Sequence, residues 1–90
     1  MEASYDPDAD AAYVRIRNRI GPVRTDVAED GTILDFDDET GEVIGYELLS
    51  VSSRGLDAFQ TVPKRGRELV VKAMDVARVE RRFTKVSDSA

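Results

Sequence analysis

Residues 31–50, GTILDFDDETGEVIGYELLS, decide the reading of the whole chain. Thr32, Ile33, Leu34, Asp35, Phe36 and Asp37 mix β-branched, aliphatic and aromatic residues in partial alternation, the pattern of a half-buried strand. After an acidic turn, residues 43–49 alternate again, with Ile44, Tyr46 and Leu48 set against Val43, Gly45 and Glu47. The intervening DDETG is short enough for a hairpin loop, and Gly41 can take the positive φ that such turns need. Gly45 has no side chain to pack, which signals a bulge or a close approach to its backbone. A hairpin with an acidic tip is the centre of the fold.

On the N-terminal side, residues 2–5 read as a first strand and Asp6-Pro7-Asp8-Ala9-Asp10 as a turn. Proline fixes φ there, and aspartate side chains bond nearby backbone amides. In residues 11–19, Ala12, Val14 and Ile16 oppose Tyr13, Arg15 and Arg17, giving a second strand that Gly21-Pro22 breaks. Val23, Thr25 and Val27 alternate with Arg24 and Asp26 as a third strand, and Glu29-Asp30-Gly31 turns into the central hairpin. One face should then carry Val14, Ile16, Leu34, Phe36, Ile44, Tyr46 and Leu48. The other should carry Arg15, Arg17, Asp35, Asp37 and Glu47, with Arg24 and Asp26 alongside.

On the C-terminal side, residues 51–62 form an irregular connection in which Leu56, Ala58 and Phe59 could form a short helical turn that plugs the edge of the core. Thr61 is placed to cap a helix and Pro63 suits its first turn. Leu69, Val70, Ala73, Met74, Val76 and Ala77 recur at spacings of three and four, predicting an amphipathic helix over 63–83. Gly66 inside it implies close packing or a later start. Residues 79–86 could lengthen the helix or add an edge strand, and 84–90 read as a flexible tail. The expected fold is α+β: one domain over 1–90, a small antiparallel β-meander of about five strands, and one long C-terminal amphipathic helix on its apolar face.

The 90 residues include no cysteine, histidine or tryptophan. This removes disulfides, thiolate nucleophiles, cysteine-ligated zinc, and the commonest general base. The acidic, short-run N-terminus is read as neither signal peptide nor membrane span, so the expected location is the cytoplasm. The net charge of −5 divides unevenly. Residues 1–53 hold 4 arginines and 13 acidic residues, and residues 54–90 hold 9 basic and 5 acidic ones. Acidic turns and a basic helix face can complement each other within the fold or across a homodimer, and so small a core makes a homodimer the expected state.

Two segments resemble a known family. Tyr5-Asp6-Pro7-Asp8-Ala9-Asp10-Ala11-Ala12-Tyr13-Val14-Arg15-Ile16 is similar to the opening signature of the small bacterial proteins grouped as domain of unknown function 2283. Residues 31–37, then Gly41 and Gly45-Tyr46-Glu47-Leu48-Leu49, resemble its second half, so the likeness covers residues 4–50. The resemblance implies a short antiparallel β-unit and no assigned activity, cofactor or site. Through the gene neighbours of such proteins it also raises an antitoxin-like role.

No spacing matches a nucleophile motif, and no cofactor is expected. Asp8 and Asp10 read as turn residues. Asp35, Asp37, Asp38, Glu39 and Glu42 offer oxygens to Ca²⁺ or Mg²⁺, but counting from Asp35 puts Thr40 and Tyr46 where an EF-hand needs glycine and acid. Glu47 lies mid-strand, either paired with Arg15 or Arg17 or serving as an acid–base group. Lys64, Arg65, Arg67, Lys72, Arg78, Arg81, Arg82 and Lys85 form a basic stripe that could meet nucleic acid. The leading expectation is a non-enzymatic protein-binding or regulatory module. Its candidate surface comprises Arg15, Arg17, Asp35, Asp37, Glu47, Arg65, Arg67, Arg81 and Arg82. A nucleic-acid-binding regulator and a divalent-metal or small-ligand binder at the acidic hairpin are the alternatives.

Overall fold

Strand β5 (Val43–Leu49) has buried residues along most of its length and takes the middle of the sheet. The computed structural model describes residues 1–88. Its other strands are β1 (Glu2–Asp6), β2 (Ala11–Arg15), β3 (Val23–Val27), β4 (Ile33–Asp37) and β6 (Thr84–Ser87). They pair antiparallel throughout, in the order β3-β4-β5-β2-β1-β6. The α+β class and the long helix are as expected, with six strands in place of five. The order is not sequential: β3, β4 and β5 form a meander, but β5 inserts beside β2 and sends β3 to the far edge. Physical cost explains the placement. The polar β3, VRTDV, loses little at an edge, whereas Ile44, Tyr46 and Leu48 need cover.

The helix α2 (Lys64–Glu80) crosses one face of the sheet, packing chiefly on β1 and β6 and less on β2. Gly66, Leu69, Val70, Ala73 and Ala77 form its buried stripe. Val76, expected in that stripe, is 38% exposed, because the sheet lies under a narrower arc than its 3–4 spacing allowed. Gly66 is explained by close packing. An added Cβ would lie 3.0 Å from Cγ1 of Val14 and 3.1 Å from Cγ1 of Val62. Pro63, not Thr61, occupies the cap position, and the Thr61 amide instead donates to Asp30 at 2.9 Å. Between sheet and helix, α1 (Val51–Arg54) and a 3₁₀ turn (Leu56–Ala58) lead to Phe59, which is fully buried. The Arg54 guanidinium covers the Phe59 ring at 4.4 Å.

The helix stops at Arg81, whose left-handed backbone (φ 58°) turns the chain back. Thr84 and Val86, both β-branched, then form β6 against β1, with Val86 opposite Ala3. The tail expected over 84–90 is therefore a strand over Thr84–Ser87. Residues 89 and 90 lie outside the described residues.

Two side-chain assignments differ from the simple alternation. Arg24 pairs with Phe36 and Asp26 with Leu34, so both charges lie on the helix side of the sheet, not beside Asp35. A bulge between Asp35 and Phe36 sets Val43 opposite Phe36 and turns Ile44 to the far face. Strand β2 also ends at Arg15, four residues early, leaving Ile16 37% exposed in the loop to β3.

Candidate functional site

The face of the sheet away from α2 is uncovered and has an organised polar centre. Tyr13 projects from β2, and its ring lies over the backbone of Gly45 on β5. Any Cβ at Gly45 would overlap the phenol. The bare backbone lets Tyr13 reach Asp35 on β4, to which its hydroxyl donates at 2.8 Å. The Thr25 hydroxyl on β3 donates to the other oxygen of Asp35 at 2.9 Å. Four strands are thus tied across one face. Burial, then the bond to Asp35 and its charge, push the Tyr13 phenol well above the ordinary tyrosine range.

Beside this network lies an open cavity of about 510 Å³, lined by Tyr13, Arg15, Arg17, Asn18, Arg19, Val23, Asp35 and Ile44. Its rim is basic, and Tyr13, Val23 and Ile44 give it an apolar floor. Arg15 lies 4.0 Å from Glu2. Arg17 reaches Glu42 at 2.7 Å and Asp37 at 3.4 Å, fastening the acidic hairpin tip to the β2–β3 loop. Asp37 also accepts the Glu39 and Thr40 amides at 2.9 and 3.1 Å. Asp37 therefore holds its own turn, and with Glu42 it holds Arg17. Among the described residues, no group of three or more acids is arranged to hold a metal ion.

Glu47 stands on the same face between Tyr13 and Ile33. It pairs with neither Arg15 nor Arg17, whose carboxylate partners are Glu2, Asp37 and Glu42. Around it the face is partly apolar: Leu49 is 46% and Val27 63% exposed, with Ile33 half-buried.

The helix arginines are elsewhere. Arg65 grips Asp88 through two bonds of 3.1 and 2.7 Å, fixing the end of β6 to the helix start. Arg67 donates to the Val62 carbonyl at 3.2 Å. Arg82 is held by Glu80 at 2.6 Å, and Arg81 forms the left-handed end of the helix. Arg65 and Arg81 are separated by about 24 Å of helix, at about 1.5 Å per residue. The structure brings Arg15, Arg17, Asp35, Asp37 and Glu47 together on one face and leaves Arg65, Arg67, Arg81 and Arg82 apart from them.

Tyr13, Asn18, Arg19 and Thr25 belong to the site and were absent from the candidate surface drawn from sequence. The available signal was Gly45, since a strand glycine invites a neighbouring aromatic to lie across it. Two further carboxylates serve the fold. Asp10 accepts the Tyr5 hydroxyl at 2.6 Å and the Ser52 amide and hydroxyl at 3.0 and 2.8 Å. Asp30 accepts the Thr32 and Thr61 amides, both at 2.9 Å. Burial alone pushes both carboxyls up, but these bonds outweigh it and hold them below the ordinary aspartate range.

The fold and this face define a small α+β protein with a one-sided helical cover and an open, partly apolar sheet. The model of a family described as protein of unknown function, DUF2283, matches residues 3–52, and the chain belongs to that family. No curated protein and no solved structure matches the chain. The matched segment contains β1 from Ala3 onward and all of β2 to β5, and hence the whole Tyr13–Asp35–Thr25 network. No described helix is long and apolar enough to cross a membrane.

Proposed function

We propose that the chain is a non-enzymatic, cytoplasmic binding module that meets a protein partner on the uncovered face of its sheet. The observation that carries this reading is the composition of that face. Val27, Ile33 and Leu49 surround Glu47, and Tyr13 and three arginines lie alongside. Exposed apolar area beside tyrosine and arginine is the chemistry of protein interfaces. The absence of cysteine suits a reducing compartment. An antitoxin-like pairing is one form of this function. Nucleic acid is the weaker reading, because Arg65, Arg78 and Arg82 on the helix side already have acidic partners.

A photo-crosslinking amino acid placed at Leu49 or Val27 tests the proposal in the native host. Covalent capture from these positions of one defined protein other than a second copy of this chain, and none from Lys72 on the helix, is the expected result. Capture from Lys72 alone, or no capture from the sheet face, would count against it. A captured protein that arrests growth when expressed without this chain would identify the antitoxin-like form.

A further inference from the structure

We propose that two copies of the chain pair along β3, antiparallel about a two-fold axis at Thr25, to make one continuous sheet. The inference does not depend on the partner-binding reading, since edge pairing leaves the outer face open. Strand β3 is an edge of the sheet, and four of its five residues are exposed. Its ladder with β4 fixes which backbone groups are free. The Ala28 amide bonds the Thr32 carbonyl at 2.8 Å, and the Asp38 amide bonds the Pro22 carbonyl at 3.1 Å. Stepping two residues at a time between these points turns Arg24 and Asp26 toward β4 and the N–H and C=O groups of Val23, Thr25 and Val27 outward. The Val27 amide agrees, for it bonds only the neighbouring Asp26 carboxylate, at 2.9 Å.

The side chains identify the occupant as a second copy. Val-Arg-Thr-Asp-Val has matching classes in both directions, with its two charges opposite in sign. Pairing about Thr25 sets Val23 against the other copy's Val27, and Arg24 against the other copy's Asp26, twice. These charged residues fall at the non-hydrogen-bonded positions, where side chains on adjacent strands come closest. Arg24 stacks on Phe36 at 4.5 Å, and neither Arg24 nor Asp26 has an ion-pair partner among the described residues. An edge guarded by like charges repels its own copy. This one attracts it. The opposite edge, β6, carries Lys85 as its one charge and lacks that complementarity.

Five residues a side bury less than a standard interface, so a weak dimer is expected. Analytical ultracentrifugation of the full chain from about 10 μM to about 1 mM tests the pairing. Wild type should form dimers in this range. Arg24→Asp and Asp26→Arg, which set like charges together, should each weaken the dimer about tenfold or more, and the double exchange should restore it. Circular dichroism checks that each variant is folded. In wild type, amide exchange at Thr25 should slow as concentration rises, a readout that needs no variant. A monomer throughout the range, an association indifferent to either reversal, a double exchange that fails to recover, or Thr25 exchange independent of concentration would overturn the proposal.

Discussion

The Tyr13 hydroxyl reaches Asp35 across an intervening strand: it leaves β2, passes over Gly45 on the adjacent β5, and bonds a carboxylate on β4 at 2.8 Å. Glycine at position 45 is the condition for that contact.

Gly45→Ala should therefore cost about 1–3 kcal/mol, the range for overpacking a filled site. The cost should shrink when Tyr13 is already Ala, because the Cβ then has room. A double-mutant cycle by urea denaturation measures this, and strict additivity would contradict the geometry.

Alkaline pH should act through the tyrosines. Burial, then the bond to Asp10, push Tyr5 up to about 12, and burial raises Tyr13 and Tyr46 as well. The raised folded values mean that this stabilisation is fully present below about pH 10, the unfolded tyrosine value, and is lost as pH rises through the folded values. Ultraviolet titration should show little phenolate at pH 10 in the folded chain. Denatured chain should be about half ionised there.

Acid should act in the opposite sense through Asp10 and Asp30. Their folded pKa values are depressed, so their contribution is present above the unfolded value of about 4 and is lost as pH falls below it. Asp30→Asn should cost about 1–3 kcal/mol at neutral pH and flatten the acid limb of melting temperature against pH. An unchanged acid limb would show that the Thr32 and Thr61 amides do not depend on the charge.

The phase of α2 can be tested by two matched truncations. Val70 is fully buried and Val76 is 38% exposed. Val70→Ala should cost about 1.5–3 kcal/mol and Val76→Ala less than about 1 kcal/mol, measured by chemical denaturation.

These differences show where sequence patterning was informative. The β4–β5 hairpin, the Gly41 turn and the long helix follow from local periodicity and turn chemistry, and the helical turn before Phe59 from its apolar spacing. The position of β5 between β2 and β4 is a long-range choice that no local pattern encodes. The one-residue bulge reversed the facing of Val43 and Ile44, since a period of two cannot survive an insertion. The candidate site was half legible for the same reason. Arg15, Asp35, Asp37 and Glu47 share a face because strand alternation held there, and Arg17, beyond the end of β2, joins them through its ion pairs to Asp37 and Glu42. Tyr13 and Thr25 share that face by register as well, Thr25 directly opposite Asp35, but only the bare backbone at Gly45 lets Tyr13 reach the carboxylate. The helix arginines lie apart from it, Arg65 held by Asp88 and Arg82 by Glu80.

The pairing of β1 with β6 has a consequence for the order of events during synthesis. The first strand keeps an open flank until the last strand has been made, and the Asp88 amide closes on the Met1 carbonyl at 2.8 Å. A chain still emerging from the ribosome can complete the β1–β2 hairpin and the β3–β5 meander early, from contacts close in sequence. It cannot complete the sheet until β6 arrives. Pairing two strands with every other element between them in sequence makes this a high-contact-order step of folding, and β1 spends that interval with an unpaired edge.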